Sequence, residues 1–318
     1  VIISFTSTNA LEGTVAPASY TFTDANWSIA QTVTVTGKDD DIDDGDQTYY
    51  INVSVSSTDG NYGSALNTSV EVINEDNDKA GITVSAISGN TTEGGGTATF
   101  NVVLDTEPIA DVIISFSSTN VLEGTFTPAS YTFTSANWNT AQTVTVTGQD
   151  DDVDDGDQTY NINVSLSSAD GNYGSVMNTS VAVINEDDDV AGVSISPTSG
   201  LETTEDGGTA TFTVVLDTRP TATVTVNFVS SDTGEGTVSP ENVSFTTSNW
   251  DSPRTITITG VPDDIDDGDI AYNIITSITA GSDAVYNAID PADVAITNID
   301  NDNAGLTVTA ISGNTTES

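Results

Sequence analysis

The three tryptophans stand at Trp27, Trp138 and Trp250, and the residues around them repeat: DANWSIAQTVTVTG, SANWNTAQTVTVTG and TSNWDSPRTITITG. Spacings of 111 and 112 residues are one whole domain long, so the chain is a tandem array of a single compact unit. Two acidic runs keep the same step. DDDIDDGD, DDDVDDGD and PDDIDDGD begin at Asp39, Asp150 and Pro262, and each is succeeded by NEDNDKAG, NEDDDVAG or NIDNDNAG. Domains are therefore expected at 1–79, 80–189 and 190–302, with 303–318 opening a further repeat. Val1 aligns with Val112 and Val224, so the first repeat is expected to lack its two opening strands. Ser318 aligns with Asp206, which leaves the last stretch one strand and a loop. These ends read as a window on a longer array. The other reading is strand exchange between neighbouring chains of a fibre, since an incomplete sandwich leaves an open edge.

Within the second repeat apolar residues alternate with polar ones, as in Phe100/Val102/Leu104, Val144/Val146 and Tyr160/Ile162/Val164/Leu166. A period of two specifies half-buried strands, because successive strand side chains point to opposite faces. The abundant Ser and Thr agree: Thr is β-branched and Ser competes for the helix backbone. Turn residues divide the pattern into seven strands, at 81–86, 97–104, 112–118, 131–134, 143–147, 159–167 and 180–184. The predicted fold is all-β: tandem immunoglobulin-like, seven-stranded β-sandwich domains in a linear array. No apolar run approaches the roughly 18 residues of a membrane-spanning helix, and no signal peptide is visible ahead of the repeats.

Charge narrows the function. The chain carries 48 Asp and Glu against 4 Lys and Arg, with no His and no Cys. Nucleic-acid binding is excluded, because it needs many cationic contacts. There is no thiol or imidazole for a catalytic triad, a zinc site or a disulfide framework.

If seven strands alternate in direction, the loops after the first, third and fifth strands share one end with the exit from the seventh. In the second repeat these positions hold Glu93, Glu123, the run 150–157 and residues 186–189. Carboxylates packed so closely raise one another's pKa unless a cation sits among them. Calcium suits such a set, since it takes six to eight oxygen ligands with tolerant geometry. A calcium cluster is therefore expected at the exit end of each domain. No EF-hand loop is present: Val153 and Ile162 occupy two of its ligand positions, so the sandwich itself must build the site. A solvated acidic turn is the other reading of any such run.

The segments TTEGGGTATF, DDDVDDGDQTY and INEDDDVAGV together resemble the Calx-beta domain of sodium/calcium exchangers and large bacterial surface proteins, over essentially the whole chain. The resemblance implies calcium held between the first loop, the fifth loop and the domain's end. By motif, its ligands would be Glu93, Asp150, Asp151, Asp155, Asp187, Asp188 and Asp189 in the second repeat. In the third they would be Glu205, Asp263, Asp264, Asp267, Asp300 and Asp302, and in the first Asp39, Asp40, Asp44, Asp76 and Asp78. Where the family usually has Glu before the sixth strand, this chain has Gln47, Gln158 and Ile270, a departure that bears on the number of ions per domain.

The expected function is mechanical and not enzymatic: a calcium-stabilised stalk or spacer of a secreted or cell-surface adhesin or fibre, its partners being neighbouring repeats of the same chain. A self-assembling extracellular filament with homotypic contacts is the alternative. Accessory domains of a glycoside-processing enzyme are a remote third, since paired carboxylates can hydrolyse glycosides.

Overall fold

The computed structural model describes every residue except Leu66, Ser282 and Ser318; the final position of the expected 303–318 segment thus lies outside the described residues. The first repeat comprises β1 (Ile2–Ser7), β2 (Gly13–Ala16), β3 (Ser19–Thr21), β4 (Thr34–Gly37), β5 (Gln47–Ser56) and β6 (Thr68–Asn74). The second comprises β7 (Ile82–Val84), β8 (Thr91–Thr92), β9 (Thr97–Leu104), β10 (Val112–Ser118), β11 (Gly124–Thr127), β12 (Ser130–Phe133), β13 (Gln142–Gly148), β14 (Gln158–Ser168) and β15 (Thr179–Glu186). The third repeats them as β16 (Val193–Ser196), β17 (Leu201–Thr204), β18 (Thr209–Leu216), β19 (Val224–Ser230), β20 (Gly236–Ser239), β21 (Asn242–Phe245), β22 (Arg254–Gly260), β23 (Ile270–Ile278) and β24 (Val294–Ile299). The described residues include no helix long and apolar enough to cross a membrane.

Each complete repeat is a sandwich of two sheets, ordered β12-β10-β14-β15-β8 and β11-β13-β9-β7 in the second, and β17-β24-β23-β19-β21 and β16-β18-β22-β20 in the third. All seven expected strands of the second repeat are present. Two more accompany them, β8 and β11, of two and four residues.

The alternation fills the space between the sheets. Phe100 and Val102 from one sheet meet Ile114, Phe116 and Ile162 from the other, and the Thr residues between the core positions of β13 face outward. Phe100 packs edge-to-face on Phe116 at 5.9 Å, and Phe212 on Phe228 at 5.6 Å. Each fully buried Val, Ile or Phe contributes about 1.5–3 kcal/mol relative to exposure.

Among the described residues the first repeat starts at its counterpart of β10, and its core positions are less enclosed. Ile3 and Val35 are half-buried, whereas their equivalents Ile114 and Val146 are fully enclosed. Trp27 is 70% exposed, while Trp138 packs on the core and its carbonyl accepts a hydrogen bond from the Leu104 N–H. At the other end, residues 301–317 form no strand.

Contacts divide the chain into two compact units, Val1–Gln149 with Thr159–Asn185, and Asp150–Gln158 with Glu186–Ser318. The loop 150–158 thus groups with the third repeat, because its backbone and side chains bond to that repeat.

Candidate metal centre

The acidic runs are held in a fixed shape by their own carboxylates. The second residue of each run caps its own turn: Asp40, Asp151 and Asp263 accept hydrogen bonds from the N–H groups of Ile42, Val153 and Ile265 at 2.7–3.0 Å. The fifth reaches forward, Asp43, Asp154 and Asp266 accepting from the N–H of Ala80, Ala191 and Ala304, just past the chain exit of the repeat. The last, Asp46, Asp157 or Asp269, accepts from the N–H of Asp76, Asp187 or Asp300 at 3.0–3.2 Å. Gly45, Gly156 and Gly268 adopt φ of 72–80°, the left-handed region open to glycine, and turn their N–H toward the same three aspartates at 2.6–2.7 Å.

Asp76, Asp187 and Asp300 therefore accept backbone hydrogen bonds on both oxygens, since the second takes the N–H of Asp78, Asp189 or Asp302. Donors favour the ionised form, and those from Asp302 and Gly268 hold Asp300 below the ordinary carboxylate range. The residue two places on has the opposite environment. One carboxylate oxygen of Asp189 and one of Asp302 are buried without a hydrogen-bond partner. Desolvation first, then Asp187, Asp152, Asp188 and Asp150, push Asp189 up to about 6. Desolvation, with Asp264, Asp300, Asp263 and Asp266, raises Asp302, and desolvation with Asp76, Asp39, Asp41 and Asp40 raises Asp78. Asp155 is raised by desolvation, against a hydrogen bond from Gln158, with Asp151, Asp187 and Asp154 adding to the rise.

In the third repeat Glu205 is buried at the turn after β17 and offers an oxygen within 4.8 Å of one from Asp300 and one from Asp302. A second group of the same size joins Glu235, Asp263 and Asp267. In the first repeat Asp39, Asp40, Asp44, Asp76 and Asp78 all line one small concavity, together with Glu12 and Asn74. In the second repeat Glu93 is buried in the first unit at the position matching Glu205. The remaining residues assigned from the motifs, Asp150, Asp151, Asp155, Asp187, Asp188 and Asp189, gather in the second unit. Asp150, Asp188 and Asp264 are exposed and act on the cluster through charge.

Sequence reasoning left three acids out of the ligand set: Glu12, Glu123 and Glu235, all buried. Each opens an E-G-T motif at the same place in its repeat, and that recurrence was the available signal. An asparagine at the end of the closing strand holds each one. Asn185 Nδ2 donates to Glu123 at 3.4 Å and to the Gln149 carbonyl at 3.0 Å, while its Oδ1 accepts from Thr91 Oγ1 at 3.0 Å. Asn298 repeats this with Glu235, Val261 and Thr203, and Asn74 bonds Glu12 and the Lys38 carbonyl. The glycine after each of these acids is required by space. A Cβ at Gly124 or Gly236 would lie 2.0 Å from the hydroxyl of Tyr160 or Tyr272.

The donor set is entirely oxygen, mostly carboxylate, assembled from a turn, two loops and a chain exit. It fits a hard divalent cation such as calcium and lacks the nitrogen and sulfur that softer metals select.

No family model matches the sequence, and no curated protein does. Among solved structures, the chain is similar to the S-layer protein SbsC domains 4 and 5, at 17% identity over 59% of this chain and 77% of that one, with a TM-score of 0.28. It is similar to the longer S-layer protein rSbsC(31-844) at 15% identity, over 93% of this chain and 35% of that one, with a TM-score of 0.29. A third likeness is to CBD12 from CALX1.2, at 14% identity over 68% of this chain and 100% of that one, with a TM-score of 0.29. Overlap of this extent carries no functional weight, and the chain's own repeats and geometry carry the reading.

Proposed function

We propose that this chain is a structural segment of an extracellular or cell-surface protein, a stalk or spacer whose repeats are stabilised by calcium bound at the exit end of each repeat. The boundaries would be those of the sequence periodicity, 1–79, 80–189 and 190–302. The observation that carries the proposal is the buried, donorless oxygen of Asp189 and of Asp302, set beside an aspartate that accepts backbone N–H groups on both of its oxygens. A carboxylate in that position destabilises the folded chain unless a cation completes it. In each full repeat the acids come after the last strand and their loop bonds to the segment beyond it, so an ion there would fasten one repeat to the next. Extracellular calcium is millimolar, the range in which extracellular modules bind it.

Calorimetric titration of the EDTA-treated chain, with scattering in calcium and in EDTA, tests this. Saturable binding, with a profile stiffened by calcium, is the expected result. Absence of heat, or superimposable profiles, overturns it.

A further inference from the structure

The acidic loop of each repeat is bolted to the next repeat at a second point, and that point differs in chemistry between the two joints. In the first joint the Asp41 carbonyl accepts the N–H of Glu107, and Asn172 Nδ2 donates to the Asp43 carbonyl. In the second joint the Asp152 carbonyl accepts the N–H of Arg219 at 2.6 Å, and the position of Asn172 is taken by Val285. The two stretches align as Asp105-Thr106-Glu107-Pro108 and Asp217-Thr218-Arg219-Pro220, so the backbone bond is kept while the side chain changes from anion to cation. The guanidinium uses its position: Arg219 Nη2 lies 3.5 Å from Asp151 Oδ1, on side chains 40% and 29% exposed. The loop it faces, 150–157, carries six aspartates.

We propose that the residue at this position sets how far each joint depends on a divalent ion. Arg219 is a resident cation of the second joint, holding the loop 150–157 against the third repeat before any metal arrives. Glu107 adds a like charge to the first joint, where Asn172 supplies a neutral amide and where Lys38 and Lys79, which flank the acidic segments, form no ion pair among the described residues, so that joint depends more heavily on metal. The second joint then binds calcium more weakly but stays docked without it, and the first is the calcium-responsive one. The metal-dependent half of this inference rests on the calcium reading above; the docking of the loop in EDTA does not.

The test is hydrogen exchange by mass spectrometry on the full chain, in EDTA and in millimolar calcium, monitoring the loops 39–46 and 150–157. Their sequences differ by one residue, Ile42 against Val153, so intrinsic exchange is nearly the same. In EDTA, Arg219→Glu or Arg219→Met should speed exchange of 150–157 by about three- to tenfold, the range of a part-exposed ion pair beside further like charges. Arg219→Lys should retain most of the protection, and added salt should shrink the wild-type advantage, as a packing role would not require. Glu107→Arg should slow exchange of 39–46 in EDTA and reduce its response to calcium. Unchanged exchange at 150–157 in Arg219→Met, or a salt-independent effect, overturns the inference. If calcium protects neither loop while the EDTA differences stand, the calcium reading falls and the resident-cation role survives.

Discussion

Removing divalent ions should invert the usual effect of pH on this fold, and Asp189 gives the magnitude. Its folded pKa is about 6 against 3.8 for the free side chain, raised by desolvation and four neighbouring aspartates. For a group raised on folding, the stability linked to it is complete below the unfolded value and is lost as pH climbs through the folded one. The difference corresponds to about 3 kcal/mol unscreened, and to about 1–2 kcal/mol after solvent screening of a part-exposed side chain. Roughly half should return by pH 5. Asp78 and Asp302 are raised too and add in the same direction. Asp300, held low by backbone donors, withdraws stability only on further acidification, so pH 4.5–7.5 is a clean window. In EDTA, thermal melts should therefore shift downward from pH 5 to pH 7.5, by about 4–8 °C per kcal/mol for a domain of this size. In millimolar calcium the order should reverse, because the ion binds the deprotonated cluster. Asp189→Asn keeps the backbone N–H and removes the charge, so it should stabilise the chain in EDTA by about 1–2 kcal/mol and lose much of the calcium response. A melting point in EDTA that rises from pH 5 to 7.5, or an Asp189→Asn chain less stable than wild type in EDTA, would refute the reasoning.

Other substitutions separate the scaffold from the site. Gly236→Ala places a methyl group 2.0 Å from the Tyr272 hydroxyl and should cost about 1–3 kcal/mol by chemical denaturation, with or without calcium. Asn298→Leu strands the Glu235 carboxylate and the Val261 carbonyl, and a loss of about 2–3 kcal/mol in EDTA is expected from the same assay. Asp263→Asn with Asp267→Asn removes both acids grouped with Glu235; calorimetry should lose binding stoichiometry while the EDTA melt holds or rises. Phe228→Ala opens the third repeat's core beside Phe212 and should cost about 3–5 kcal/mol, leaving the calcium affinity of the folded fraction unchanged.

Most of the fold was legible because this sequence alternates cleanly. Strands β9 and β10 begin and end where the apolar pattern places them. The two unanticipated strands had little to show: β8 is two threonines, and β11, Gly-Thr-Phe-Thr, exposes one apolar side chain to a pattern search. The aspartate runs could be found by recurrence alone. Loop parity placed Glu123 at the acidic end, but it and its counterparts Glu12 and Glu235 were harder to assign as ligands, since none lies in an acidic run. What makes each consequential is an asparagine 62 or 63 residues later, whose amide reads locally as one more polar strand residue.

The repeated run also distinguishes a built site from a solvated turn, by how its carboxylates are occupied. Were the run only a solubilising charge, its eight positions would be interchangeable and their side chains would face water without fixed partners. Instead the second, fifth and last residues of every run hold the same three backbone donors in all three repeats. Fixing those three leaves the sixth, Asp44, Asp155 or Asp267, without such a task, and in the third repeat Asp267 offers an oxygen to the group it forms with Glu235 and Asp263. A chain this acidic gains nothing from crowding carboxylates in the absence of a counter-ion, because the desolvation and repulsion both oppose folding. Backbone amides keep the loop from relaxing away from that crowding, and the same amides come in part from the adjoining repeat. On the calcium reading proposed above, a cation that offsets the crowded charge would also hold in place the hydrogen bonds between each loop and the segment beyond it.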